Sequence, residues 1–210
     1  MRKLMVLNNV TLDGVMQSPG RSDEDTRDGF AYGGWAVKYG DPILGEFLGR
    51  GMAAETELVL GRRTYEDFAS FWPTQRDNPF TERLNNLTKH VASRTLTEPL
   101  SWVNSRLLAP DAVAAVSSLK DGPGPDLLVM GSGNLLQSLI AGGLVDEYTL
   151  LIHPLILGTG ARLFAGELPD MALDLVESLT TTTGVIIAVY RPVPRVPSES
   201  EALAGTLPKD

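Results

Sequence analysis

Cysteine is absent from the 210-residue chain, which excludes disulfide stapling, thiolate nucleophiles and every cysteine-ligated metal site together. Histidine is scarce: His90 and His153 are the only 2, far apart, and no His-x-x-x-His pair or Asp-x-Asp-x-Asp-Gly loop accompanies them, so no metal centre is expected. Positive charge is in short supply, with 18 Lys+Arg against 26 Asp+Glu and a net charge of -8. A surface of that sign repels phosphate backbones, so broad nucleic-acid binding is not expected, and any bound anion needs a locally arranged seat. Long apolar runs are missing as well. Asn8 and Asn9 end the opening run after 4 residues, where a secretory segment needs roughly 7–15, and no stretch approaches the ~18 apolar residues of a membrane span. A soluble, cytoplasmic protein is the expectation.

What is present has a globular balance, 43% hydrophobic and 21% charged, with room for one hydrophobic core. Short apolar runs rich in β-branched residues alternate with segments of helical spacing. Strands are predicted over 4–10, 57–60, 89–92, 101–103, 127–130 and 147–152. A helix over 42–52 opens at Asp41-Pro42, with proline where its missing N–H is harmless, and Asn78-Pro79 caps another. Further helices are predicted over 64–71, 111–120 and 134–141. Residues 173–179 and 185–190 flank a Thr-rich turn ending in Gly184 and read as a hairpin. Alternating β and α with a terminal hairpin predicts a layered α/β domain over 1–193, its sheet mainly parallel with an antiparallel edge. From Pro194 the apolar pattern gives way to Pro, Ser, Glu and Gly, so 194–210 is expected to be disordered.

Hydrolase and NTPase chemistry lack their sequence warrants. Gly131-Ser132-Gly133 is not a Gly-x-Ser-x-Gly elbow, a hydrolase built on Ser132 would need a base that the chain does not name, and no P-loop run exists. Two glycine turns between strand and helix remain. Gly61-Arg62-Arg63-Thr64 puts a glycine, two cations and a hydroxyl at one helix start; Met130-Gly131-Ser132-Gly133-Asn134 puts small residues at another. A helix start offers free N–H groups and a positive dipole end, so each is a candidate phosphate seat, and each is also readable as a plain turn. The Rossmann fingerprint fails, because Leu136 occupies its third glycine position.

The order of these motifs resembles the dihydrofolate reductase-like superfamily, and within it the reductase domain of riboflavin biosynthesis (the RibD C-terminal type) with its stand-alone relatives. Four segments carry the resemblance: Thr11-Leu12-Asp13-Gly14, Leu60-Gly61-Arg62-Arg63-Thr64-Tyr65, Val129-Met130-Gly131-Ser132-Gly133, and Pro154-Leu155-Ile156-Leu157-Gly158-Thr159-Gly160 with Leu163-Phe164 beyond. It implies a dihydrofolate reductase-like three-layer fold and an NADPH cofactor across the carboxyl ends of the strands. Carried over by position, Gly14 borders the cofactor, and Gly61, Arg62, Arg63 and Thr64 hold phosphate at one helix start. Met130, Gly131, Ser132, Gly133, Asn134 and Leu135 cradle the pyrophosphate, while Ser93 and Arg94 meet the adenosine 2′-phosphate. A guanidinium forks onto phosphate oxygens, which agrees with that last assignment. Ser132 stands where the family has the middle glycine of three, and its Cβ limits how closely a ligand approaches.

The activity so implied is hydride transfer from NADPH to a C=N or C=O group of a small pterin-, pyrimidine- or similar heterocycle-like substrate. Asp13 is the candidate proton donor, with a turn-capping role as its alternative. A nucleotide-binding module without turnover shares the same glycines and is the rival reading. Residues 22–35 combine carboxylates, three aromatics and glycines, either a solvated acidic loop or a cover for the substrate. A homodimer is implied by the family, and residues 185–190 are apolar on both faces, which suits an interface better than an open edge.

Overall fold

A computed structural model describes residues 1–193, so the tail expected to be disordered, 194–210, lies outside the described residues. Along the chain the elements are β1 (Leu4–Thr11), α1 (Pro42–Ala53), β2 (Thr56–Gly61), α2 (Arg62–Phe71), α3 (Pro79–Asn86), β3 (Lys89–Ala92), β4 (Ser105–Leu107), α4 (Ala112–Asp121), β5 (Asp126–Met130), α5 (Gly133–Ala141), β6 (Glu147–His153), β7 (Leu173–Thr180) and β8 (Ile186–Pro192). All eight strands join one sheet in the order β4-β3-β2-β5-β1-β6-β8-β7. Strands β1 to β6 run parallel, and β8 runs antiparallel to both of its neighbours.

Three helices start where the sequence marks them. The Asp41 carboxylate accepts from the N–H groups of Ile43 and Leu44, Asn78 from Phe80 and Asp111 from Ala114, filling donors that a helix start leaves open. Register then sorts the strand side chains. Leu4 and Val6 share a face with Leu127, Val129 and Val59 and pack against Val116 of α4 and Leu136 and Leu139 of α5. The opposite face carries Leu58, Leu60 and Val91 against Tyr65 of α2 and Leu84 of α3. Beneath α1 it carries Leu7, Leu151 and Ile187. Three layers result, and each fully buried aliphatic side chain contributes roughly 1.5–3 kcal/mol.

Two expectations change. Residues 101–103 form no strand; β4 follows at Ser105–Leu107, after Asn104 in the left-handed region at φ 60. The apolar signal came from Trp102, a core plug whose Nε1 donates to Asn85 Oδ1 at 2.6 Å and whose N–H donates to the Tyr65 hydroxyl at 2.9 Å. The second concerns β8, which lies inside the sheet between β6 and β7. Within one chain Ile187 and Ala188 are buried at 1% and 2% exposure, while Ile186 at the start of the strand is 41% exposed. No described helix is long and apolar enough to cross a membrane.

Candidate functional site

Parallel strands bring their carboxyl ends to one edge, and the glycine turns after β2 and β5 meet there. Ser132 is left-handed, with φ 61 and ψ 49, and Gly131 before it has φ 63. This conformation points the Ser132 hydroxyl at the other turn, where it accepts from Gly61 N–H at 2.8 Å. Thr64 Oγ1 returns the contact by accepting from Ser132 N–H at 3.1 Å. Two reciprocal bonds therefore tie the start of α2 to the start of α5. Neither of these helices has a side-chain cap, whereas α1, α3 and α4 all do. The uncapped pair leaves N–H groups and two dipole ends facing one place, an arrangement that holds anions.

Close packing explains the glycines. A Cβ on Gly131 would meet Thr64 Cγ2 at 3.3 Å, and one on Gly133 would meet Met16 Sδ at 3.4 Å. Asn8, buried in β1, accepts from Gly131 N–H through Oδ1 at 3.0 Å and so braces the turn from below. Its Nδ2 is buried without a partner. The cations differ among themselves. Arg62 turns back to Glu66 at 3.0 Å, while Arg63 and Arg94 are exposed and form no ion pair among the described residues. Ser93, after β3, folds its hydroxyl onto its own turn by accepting from the N–H groups of Thr95 and Leu96. Asn134 is exposed at the start of α5, with Met130 and Leu135 half-buried beside it.

Asp13 is a clamp. Its carboxylate accepts from the Thr11 hydroxyl at 2.6 Å, from Gly158 N–H at 2.8 Å and from Leu157 N–H at 3.2 Å. The Thr11 hydrogen bond first, then those backbone donors, hold its pKa at about 2. These bonds tie the β1 turn to the segment after β6, the geometry of the turn-capping role weighed beside that of proton donor. Gly14 closes that turn at φ 80, a conformation that favours glycine, with open space around it. The Ser132 hydroxyl carries no base among the described residues and is engaged with Gly61 N–H.

Residues 22–35 are anchored at two aromatic side chains, while Ser22, Asp23, residues 26–29, Ala31 and Tyr32 are exposed. Phe30 and Trp35 are buried with Val15 and half-buried Leu155 and Leu157. Arg21, just before this stretch, pairs with Asp67 of α2 and stacks 4.2 Å from the Phe71 ring centre. The loop therefore spans from β1 to α2 across the carboxyl edge. Beneath its end lies His153, considered above only as a metal ligand, with Asn9 of β1 beside it. His153, at 1% exposure, bonds through Nε2 to Asn9 Oδ1 at 2.8 Å, with Trp35 and Tyr39 edge-on at 5.1 and 5.2 Å. Burial lowers its pKa to about 4, leaving it neutral. No chain signal marked Asn8, Asn9 or Met16; the Asn8-Asn9 interruption of an otherwise apolar central strand was the available hint.

A mostly parallel eight-stranded sheet with an inserted antiparallel strand, covered on both faces by helices and bearing its turns at the carboxyl edge, defines a dihydrofolate reductase-like protein. Dihydrofolate reductase from Enterococcus faecalis, complexed with NADP(H), aligns over 90% of this chain and 96% of its own with a TM-score of 0.54 at 15% identity. A pyrimidine reductase-like protein from Corynebacterium diphtheriae aligns over 92% and 93% with a TM-score of 0.63 at 14% identity. The chain belongs to the RibD C-terminal domain family, whose model matches residues 2–187. An uncharacterized protein of Bacillus subtilis strain 168, YyaP, is 31% identical over 199 residues, spanning 90% of this chain and 94% of that protein.

Proposed function

We propose that this protein is an NADPH-dependent reductase of the cytoplasm, acting on a C=N or C=O bond of a small heterocycle of the pterin or pyrimidine kind. The observation that carries the reading is the pair of uncapped helix starts, α2 and α5, tied side by side through Ser132 and Thr64. Gly131, Ser132, Gly133, Asn134 and Leu135 would hold the pyrophosphate, with Gly61, Arg63 and Thr64 opposite. Arg94 and the Ser93 turn would take the 2′-phosphate, the feature that separates NADPH from NADH. Family membership and the NADP(H)-bound relative of the same fold support the choice.

Bound NADPH would supply the hydride for the carbon of the reduced bond, leaving NADP+, and the heteroatom would take the balancing proton from water. The chain's part is to align the reactants and exclude bulk solvent beneath the 22–35 loop. Asp13 contributes by fixing the β1 turn. Titration with NADPH and NADH, followed by loss of the reduced-nicotinamide absorbance with pterin and pyrimidine acceptors, tests the reading. Failure to bind NADPH ends it, and binding without turnover of any acceptor leaves the nucleotide-binding module.

We propose further that two copies pair through the β8–β7 end of the sheet. There Phe164, Leu175 and Ile186 are 47%, 54% and 41% exposed, and register puts Leu175 and Ile186 on the face of Tyr148 and Tyr190. Light scattering tests it: a mass equal to one chain overturns the pairing, and Leu175→Asp should give that mass without unfolding.

A further inference from the structure

The sheet face under α1 and α2 has a seam. Apolar residues gather into one cluster below α1, bordered by Leu7 of β1, and another below α2 and α3, bordered by Met130 of β5; the two border residues pair in register, both half-buried. Asn9, two residues beyond Leu7, lies on the same face at the carboxyl end of β1, beside the turn that follows Met130. An apolar floor with one amide at its end suits a flat ring with a polar edge.

Hydrogen bonding fixes how that amide is turned. His153 Nε2 and Asn9 Oδ1 are 2.8 Å apart, and His153 Nδ1 is buried without a partner. Were the Asn9 amide reversed, its N–H would donate to Nε2 and the imidazole proton would sit on Nδ1, a buried donor without an acceptor. A buried orphan donor is rarer than a buried orphan acceptor, so the proton is on Nε2, donating to Oδ1. Protonation at both nitrogens would create the same orphan, in accord with the lowered pKa of His153. Asn9 Nδ2 makes no hydrogen bond among the described residues, and Asn9 is partly exposed.

Resting on the reductase reading, we infer that Asn9 is a substrate-recognition residue that donates from Nδ2 to a ring carbonyl or ring nitrogen of a lactam-type heterocycle seated on the Leu7–Met130 seam, and that His153 is the positioning residue that holds it so. A donor there selects substrates that present an acceptor at that edge and rejects isosteres that present an N–H.

The full chain loaded with NADP+ and titrated with uracil tests this by NMR. The Asn9 side-chain amide signals should shift with saturation, and the imidazole nitrogens of His153 should report the proton on Nε2 throughout. Asn9→Leu should weaken uracil about tenfold, the loss of one good hydrogen bond, with NADPH affinity held within about twofold. His153→Ala should weaken uracil less, and His153→Gln, whose amide can still donate to Asn9 Oδ1, should restore most of it; where His153→Ala does not fold, Asn9→Leu and the tautomer signals carry the test. A proton on Nδ1, uracil binding that survives Asn9→Leu, or no uracil binding by loaded protein overturns the inference alone. A wild-type chain that does not bind NADPH overturns the reductase reading and this with it.

Discussion

The two edges of the sheet treat charge in opposite ways. At the amino edge the buried residues Arg2, Lys89 and Lys120 have their charges answered, while Arg83 Nε and Ser105 Oγ are buried without a partner. Arg2 donates to Glu57, which also bonds His90 Nε2 at 2.8 Å. Lys120 reaches Asp146 and the Leu144 carbonyl. Lys89, fully buried without a counter-charge, donates to the carbonyls of Asn85, Leu87 and Val103 and lies 4.4 Å from the Trp102 ring centre. At the carboxyl edge, two helix starts are uncapped, Ser132 is held left-handed, Asn8 Nδ2 and His153 Nδ1 are orphans, and Arg63 and Arg94 have no carboxylate. The amino edge is built for stability, whereas the carboxyl edge keeps its donors available at some expense in stability.

Breaking the amino edge should give the largest effect. Glu57→Ala leaves Arg2 buried and unpaired, a loss of about 3 kcal/mol, the low end for a severed buried pair because Glu57 keeps some exposure. Denaturant unfolding would read it, and the remaining folded protein should keep its NADPH affinity; a loss in both would blur the contrast between the edges. Gly131→Val acts the other way. A branched residue at φ 63 costs roughly 1–3 kcal/mol in strain and fills the cradle, so NADPH binding should vanish from a chain that still melts cooperatively. A folded variant with unchanged affinity sinks the assignment of that turn. Arg94→Ala should weaken NADPH by about 1–3 kcal/mol and leave NADH nearly untouched, as loss of a charged hydrogen bond would; equal losses for both would remove the 2′-phosphate from Arg94.

The smallest effect sharpens the role of Asp13. Its carboxyl is held at about 2, below the ordinary 3.8. A depressed acid stabilises the fold above its ordinary pKa, and that contribution disappears as pH falls through the lowered one. Asp13→Asn should therefore melt below the wild type at neutral pH, and the gap should close between about pH 4 and pH 2. Thermal midpoints across that window check it, and a gap independent of pH would mean that the clamp does not depend on charge.

Most of the fold was legible in the sequence because its signals are local. Asp41-Pro42 and Asn78-Pro79 state their helix starts within two residues, and β-branched runs mark the buried parallel strands. Trp102 misled because an isolated core plug and a short strand look alike without register. The site was legible at its glycines, since a tight turn demands them wherever it lies. Its bonds were not legible. Ser132 finds Gly61 across 71 residues, Asp13 finds Gly158 across 145 and Asn9 finds His153 across 144, distances at which nothing in a single chain announces a partner. That is why Asp13 could be placed by its motif while its partners at Leu157 and Gly158 could not.

The place of β8 between β6 and β7 bears on the order of assembly. β7 is made first, yet among the described residues its only partner in the sheet is β8. As the chain emerges during synthesis, β6 waits with an open edge and β7 with no neighbour until residues 186–192 arrive; then both are paired in one step. The six parallel strands form a sheet that residues up to 153 can complete, while its closure on the far side belongs to the last strand alone. Losing β8 therefore removes two strands from the sheet and bares the β6 edge.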